Sequence, residues 1–358
     1  MSETVIKPIR VLIAEDSPTQ REFLIAIIED AGGFDIVGTA ADGHIAVEKA
    51  AALRPDIILM DCYMPRTSGF EATRQIMERC PTPVVMVSSR LSEQEMTHTF
   101  EALKLGALAF LNKPSGFDGP EAERECRALV DMLRLMAEVK VVRRYTAPKR
   151  AETNLSRKPA RWELPPQIVA IGGSTGAPNI ILEILAQCRP SPRIPILIVQ
   201  HMATGFVEGF ARWMRDSLGY TVAVAREGER ADDGRVLLAP DGRHLGIDRN
   251  GRILLSDAPP IEGFRPSADY LFKSVAASFE NRAMGILLTG MGRDGAAGLK
   301  ALREAGAITV AQDEASCIVF GMPAAAIALG AASHVLPPPE IGTMLREAAL
   351  SQGERRNV

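Results

Sequence analysis

Cysteine is scarce and unpaired in this chain. Cys62, Cys80, Cys126, Cys188 and Cys317 lie far apart, and no C-x-x-C pair occurs. An odd, scattered set fits a reducing cytoplasm better than a disulfide framework or a zinc site. Long apolar runs are missing too. Residues 194–199 and 286–288 are among the longest, and they are strand length, not membrane-span length. Residues 1–7 lack the basic head and apolar run of a signal peptide. A cytoplasmic location is therefore expected, with any membrane association made through a partner and not by insertion. A basic balance is also absent: the formal net charge of −3 argues against a general nucleic-acid binder.

What is present is enough apolar material for two cores, 46% of 358 residues. Residues 143–166 separate two α/β halves. They carry Arg143, Arg144, Lys149, Arg150, Arg157, Lys158 and Arg161 among Pro148, Pro159, Pro165 and Pro166. Little there can build a core. A solvated tether is the plainer reading than a nucleic-acid contact. The expected organisation is a first domain over residues 8–125, a helix and linker over 126–165, and a second domain over 166–348.

The first half alternates strand-like segments (10–14, 35–39, 57–60, 84–87, 109–111) with amphipathic ones (21–30, 46–53, 70–79, 93–105). That pattern predicts a five-stranded parallel sheet with helices on both faces, and a further helix near 120–142. In such a sheet, ligands bind beyond the carboxyl ends of the strands. Glu15 and Asp16 follow the first strand and Asp61 the third, a converging carboxylate set that suits Mg²⁺. Ser88 ends the fourth strand and Lys113 the fifth, a hydroxyl and an ammonium suited to a phosphoryl group. Any one polar residue at a strand end is unremarkable; five of the right type at the sheet ends are not. The constellation resembles the response-regulator receiver domain, a flavodoxin-like fold. The resemblance implies Asp61 as phospho-acceptor, Glu15 and Asp16 as Mg²⁺ ligands with it, Ser88 as switch hydroxyl and Lys113 as phosphate-binding lysine. Many receivers have Asp where this chain has Glu15. Cys62 beside Asp61 reads as buried filler.

The second half has strand candidates at 168–171, 194–199, 221–225, 236–239, 286–289 and 308–311. Segments 244–248 and 252–256 flank Asn250-Gly251, a strong hairpin signal. A mostly parallel, doubly wound α/β domain with one antiparallel hairpin is expected. Gly172-Gly173-Ser174-Thr175-Gly176 fits a nucleophile elbow between strand and helix. A Gly-rich turn can instead cradle phosphate, but the dinucleotide fingerprint and the P-loop lysine are both absent. A serine needs a general base. Of five histidines, His44 and His98 belong to the first half. His201 follows an apolar strand at the same sheet edge as Ser174. His244, entering the hairpin, is its rival, and His334 reads as structural. Asp294, in a glycine-rich turn after a strand, is the best group to orient the imidazole; Asp313 is another carboxylate after a strand.

These motifs come in order with Val199-Gln200-His201-Met202, Ala239-Pro240, Arg265-Pro266-Ser267, Leu288 to Ala296, Gln312-Asp313-Glu314 and Phe320-Gly321-Met322-Pro323. Together they resemble the catalytic domain of the chemotaxis receptor methylesterases, the CheB family. The resemblance implies Ser174 as nucleophile, His201 as base, Asp294 as orienting acid, and an oxyanion site on backbone N–H groups of Thr175, Gly176 and Met291. It implies methylated chemoreceptor cytoplasmic domains as substrate, a chemotaxis histidine kinase as phosphodonor, and no cofactor for the esterase step. Some members also hydrolyse receptor glutamines. Two departures flank the nucleophile: Gly173 where Ala is usual, and Ala177-Pro178 for Gly-Pro. Both are expected to loosen the turn without removing a catalytic group. The competing readings are a phosphorylation-controlled binding module without hydrolase activity and, with its fingerprint missing, a nucleotide-binding oxidoreductase.

Overall fold

The computed structural model describes residues 7–88, 109–114, 116, 119–139 and 165–355. The expected helix at 93–105 lies outside these, as does the linker except for Pro165 and Pro166. The chain divides into two compact units, Met1–Thr153 and Asn154–Val358.

The first unit holds a parallel five-stranded sheet. Its strands are β1 (Ile9–Ala14), β2 (Phe34–Ala40), β3 (Ile57–Asp61), β4 (Val84–Ser88) and β5 (Ala109–Asn112), in the order β2-β1-β3-β4-β5. β3 and β4 are buried throughout, as expected for strands covered on both faces. Three helices start on side-chain caps: Ser17 before Pro18–Ala31, Asp42 before Gly43–Leu53, and Ser68 before Gly69–Arg79. The helix Pro120–Ala137 ends earlier than expected. The strand order reverses between β1 and β3, which opens a crevice at their carboxyl ends.

The second unit holds seven parallel strands: β6 (Ile168–Gly173), β7 (Ile196–Gln200), β8 (Val222–Val224), β9 (Val236–Leu238), β12 (Ala283–Leu287), β13 (Ile308–Gln312) and β14 (His334–Leu336). Their order is β14-β13-β12-β6-β7-β9-β8, so the reversal falls at β6. β10 (His244–Ile247) and β11 (Ile253–Ser256) form the antiparallel hairpin as a separate sheet. β12 begins and ends earlier than the apolar run 286–289 suggested. The chain continues past it in register, with Leu288 N–H bonding Gly172 O at 2.8 Å. Thr289 N–H then bonds the side-chain Oε1 of Gln312 at 2.9 Å, where a strand would use backbone. The short edge strand β14 carried no expectation. A core under the sheet gathers Leu197, Leu237, Phe272, Leu287 and Leu299 and includes Leu245 and Ile247 of the hairpin. Among the described residues no helix is long and apolar enough to cross a membrane.

Candidate active site

β6 is buried along its length, after which the chain turns into the helix Ala177–Ala186. Gly176 makes the turn in the left-handed region, φ 81°, and Pro178 sits in the first helical turn, where no N–H is needed. Ser174 is fixed by its backbone: its N–H bonds Thr289 O at 3.0 Å, and its carbonyl accepts from Ala177 N–H at 3.1 Å. Space here is tight. A Cβ on Gly290 would lie 2.6 Å from Ser174 Cβ, and one on Gly173 2.5 Å from Ala177 Cβ. The two departures flanking Ser174 therefore touch. A methyl absent at 173 is present at 177 and fills the same space, so the turn is packed, contrary to the expected loosening.

His201 follows β7, its N–H bonded to Gly173 O at 2.9 Å. The Gln200 amide ties the Ser174 and His201 segments together, because Nε2 donates to Ser174 O at 2.8 Å and to His201 O at 2.9 Å. The His201 ring is almost fully buried, with Nε2 in an ion-pair contact 2.9 Å from Asp294 Oδ2, while neither ring nitrogen makes a hydrogen bond of good geometry. Phe264 stacks flat on it, centroids 4.0 Å apart and planes 2° apart.

Asp294 is fully buried behind the glycine-rich turn after β12. Its carboxylate accepts from Ser267 Oγ at 2.6 Å, Ala268 N–H at 2.7 Å and Asp269 N–H at 3.1 Å. It thus lies on the N-terminus of the helix Ala268–Phe279, which Ser267 also caps. Burial opposes its ionisation. The His201 hydrogen bond and charge, the Ser267 hydroxyl and the Ala268 N–H outweigh that and hold the carboxyl below the usual range. His244, the rival base, is fully buried with both ring nitrogens engaged: Nδ1 by Ser267 N–H at 3.2 Å and Nε2 by Pro259 O at 3.1 Å. Neither is free to take a proton from Ser174. His334 is exposed on β14 beside Ser333 Oγ, and the Asp313 carboxylate takes the Ser316 hydroxyl.

Among the described residues nothing accepts from the backbone N–H groups of Thr175, Gly176 or Met291. Free donors of this kind can receive a developing oxyanion. Sequence reasoning missed Gln200, Phe264 and Ser267 as site residues. For Ser267 a signal existed, Pro-Ser before an apolar helical run. Phe264 had none.

In the first unit Glu15 and Asp61 are buried and Asp16 is exposed, with one carboxylate oxygen of each within 4.8 Å of the others. Lys113 Nζ reaches Glu15 Oε2 at 2.7 Å and Asp61 Oδ2 at 3.1 Å. Burial raises both carboxyls. For Glu15 the Lys113 hydrogen bond opposes this and the Asp61 charge adds to it; for Asp61 the charge of Lys113 opposes it. Burial would depress the Lys113 ammonium, but the Glu15 hydrogen bond and both carboxylate charges outweigh it and raise its pKa. A carboxylate cluster with one lysine to balance it is a fit site for a divalent cation. Ser88 is buried at the end of β4, and its carbonyl accepts from Lys113 N–H at 2.9 Å. Cys62 is buried, its thiol pushed far up by desolvation. The buried Asp42 pairs with Arg66 in the loop after Asp61, tying that loop to the β2 end of the sheet.

Residues 169–345 match the family described as CheB methylesterase, and residues 11–119 match the response regulator receiver domain. A Geobacter metallireducens protein named protein-glutamate methylesterase/protein-glutamine glutaminase 4 is 44% identical over 348 residues, 96% of this chain and 100% of that one. A Myxococcus xanthus protein of the same name is 43% identical, over 97% of this chain and 98% of its own. Among solved structures, the Thermotoga maritima CheB methylesterase catalytic domain is 34% identical, covers 51% of this chain and 98% of that one, and has a TM-score of 0.48.

Two outcomes are expected. Gly173→Ala alone overpacks the turn and costs about 1–3 kcal/mol, while adding Ala177→Gly recovers part of it; thermal midpoints of the single and double variants give the coupling. A double variant no more stable than the additive sum would show that the two positions are independent. The second outcome concerns pH. A carboxyl depressed in the fold stabilises above its unfolded pKa, and that gain is lost as pH falls through the folded value. The urea midpoint of wild type should exceed that of Asp294→Asn by its full margin at pH 7. The margin should close below about pH 4, the ordinary aspartate range.

Proposed function

Since the chain belongs to the CheB family, a receiver domain followed by a methylesterase domain, we propose that Ser174, His201 and Asp294 are the residues with which it hydrolyses glutamyl methyl esters. The activity is that of a protein-glutamate methylesterase and protein-glutamine glutaminase. One observation carries the residue assignment: a fully buried Asp294 carboxylate lies 2.9 Å from the edge of His201, whose backbone shares one amide clamp with Ser174.

In the proposed reaction Ser174 Oγ attacks the ester carbonyl while His201 takes its proton. The imidazolium is stabilised by Asp294, and the oxyanion by the N–H groups of Thr175, Gly176 and Met291. His201 returns the proton to the leaving methoxide, methanol departs, and the glutamyl group is left on Ser174. Water, deprotonated by His201, attacks this ester, and collapse returns the proton to Ser174 and frees glutamate. With a glutamine side chain the leaving group is ammonia. The triad itself uses no metal. A general acid–base pair and an oxyanion site are each worth of order 10²–10³ in rate or more.

The substrate proposed is the cytoplasmic helices of bacterial chemoreceptors, so that demethylation resets their sensitivity; the site of action is then the cytoplasm. For the receiver we propose Mg²⁺ held by Glu15, Asp16 and Asp61, with a chemotaxis histidine kinase as phosphodonor. A bound cation neutralises charge around the phosphoryl group. Asp61 accepts the phosphoryl, and Lys113 and Ser88 exchange their present partners for its oxygens. That change of charge at one strand end is the signal that raises hydrolysis.

Methanol release from methylated receptor fragments tests the reading. Ser174→Ala should abolish it with stability within about 0.5 kcal/mol of wild type, because alanine keeps the packed Cβ and loses only the half-buried hydroxyl. Near-normal turnover in that variant would remove the nucleophile assignment and favour a binding module. Asp61→Asn should hold turnover at its unphosphorylated level when acetyl phosphate is added. An equal rise in both proteins would show that control does not pass through Asp61.

A further inference from the structure

Ahead of Ser267 the chain makes a two-residue turn. Ile261 N–H bonds Phe264 O at 3.0 Å and Phe264 N–H bonds Ile261 O at 2.9 Å. The central residues, Glu262 and Gly263, both take positive φ, 51° and 85°. Left-handed backbone at both positions matches the tight hairpin turn that suits the natural twist of paired strands. Glycine takes that conformation freely; glutamate there is strained, so something must offset it.

The side chains on this turn meet the catalytic centre twice. Phe264 lies flat on the His201 ring at 4.0 Å. Glu262 forms a two-pronged pair with Arg293, Oε2 to Nε at 3.1 Å and Oε1 to the guanidinium NH2 at 2.9 Å. Arg293 precedes Asp294 in the chain, and Asp294 touches the edge of the same imidazole. The contacts close a circuit: His201, Asp294, Arg293, Glu262, Gly263, Phe264 and back to His201. An exposed ion pair contributes little stability on its own. Its two-pronged geometry does fix direction, and what it fixes here is the element that carries Phe264.

We propose that Phe264 is a positioning residue for His201, and that the Glu262–Arg293 pair clips its turn to the loop bearing Asp294. Asp294 sets the edge of the imidazole and Phe264 sets its plane. A ring held on edge and face keeps Nε2 on Asp294 through the proton transfers. The aromatic face also favours the imidazolium that forms when Ser174 gives up its proton. This inference rests on the proposed role of His201 as base.

The test is steady-state methanol release from methylated receptor fragments by the full chain, with thermal midpoints measured in parallel. Phe264→Ala is expected to lower kcat about tenfold with KM little changed, a loss in the range of a cation–π contact and a loosened base. Phe264→Tyr keeps the aromatic face and is expected to restore most of it. Glu262→Gln and Arg293→Gln each lower kcat about threefold, and the reversed pair, Glu262→Arg with Arg293→Glu, recovers it, because the clip depends on opposite charge. Glu262 and Arg293 are exposed, so these variants keep the fold even if Phe264→Ala does not. An unchanged kcat in Phe264→Ala, or a higher KM at unchanged kcat, would overturn the positioning role; no recovery in the reversed pair would overturn the clip. His201→Gln in the same assay separates the two claims. If it still turns over, the base assignment itself falls. If it is inactive while all turn variants match wild type, only this inference falls.

Discussion

A carboxylate with no access to water organises the second unit. Placing an isolated charge there would cost several kcal/mol, so it persists only with its lone pairs filled. Asp294 fills them with the Ser267 hydroxyl, two N–H groups of a helix start and the edge of His201. Each donor fixes the element it belongs to. The helix Ala268–Phe279 is held end-on, and through Ser267 N–H the hairpin residue His244 is drawn in. The glycine turn after β12 is held against β6, where Gly290 admits the backbone of Ser174. A single compensated charge thus sets the relative positions of three strand ends.

The first unit uses the same physics with the opposite balance. Glu15 and Asp61 are also buried at strand ends, where they share Lys113 and Glu15 accepts from Ser17 N–H at 3.3 Å, and burial still raises both carboxyls. In the first unit burial outweighs the partners and raises the carboxyls, whereas at Asp294 the partners outweigh burial and lower it. The first arrangement suits a site whose charge must change with a signal. The second suits a group that must hold one neighbour still through repeated proton transfers.

Both sheets were legible from the sequence, because buried parallel strands show as short apolar runs at regular spacing. The short exposed edge strand β14 left no such run, and β12 was misplaced where the Gln312 side chain takes over from backbone bonding. Ser174, His201, Asp294 and the receiver residues are candidates from the sequence because each lies at or beyond the carboxyl end of a strand, where a doubly wound fold gathers its ligands. What could not be read is what holds them. Phe264 reaches His201 across more than sixty residues of sequence, and nothing in its neighbours announces an aromatic stack. The exchange of one methyl between positions 173 and 177 looked like two departures until their contact was visible. The role of His244 followed only from its two buried hydrogen bonds.

The proposed work of Asp294 is to hold His201 in one tautomer and one orientation. Methanol release by Asp294→Asn, measured on receptor fragments with the fold verified by circular dichroism, tests it most directly. Asn keeps the shape but offers an amide where the imidazole needs an anion. The account predicts a fall in kcat of roughly three to four orders of magnitude, as when a triad carboxylate is neutralised. A folded variant turning over within about tenfold of wild type would contradict it.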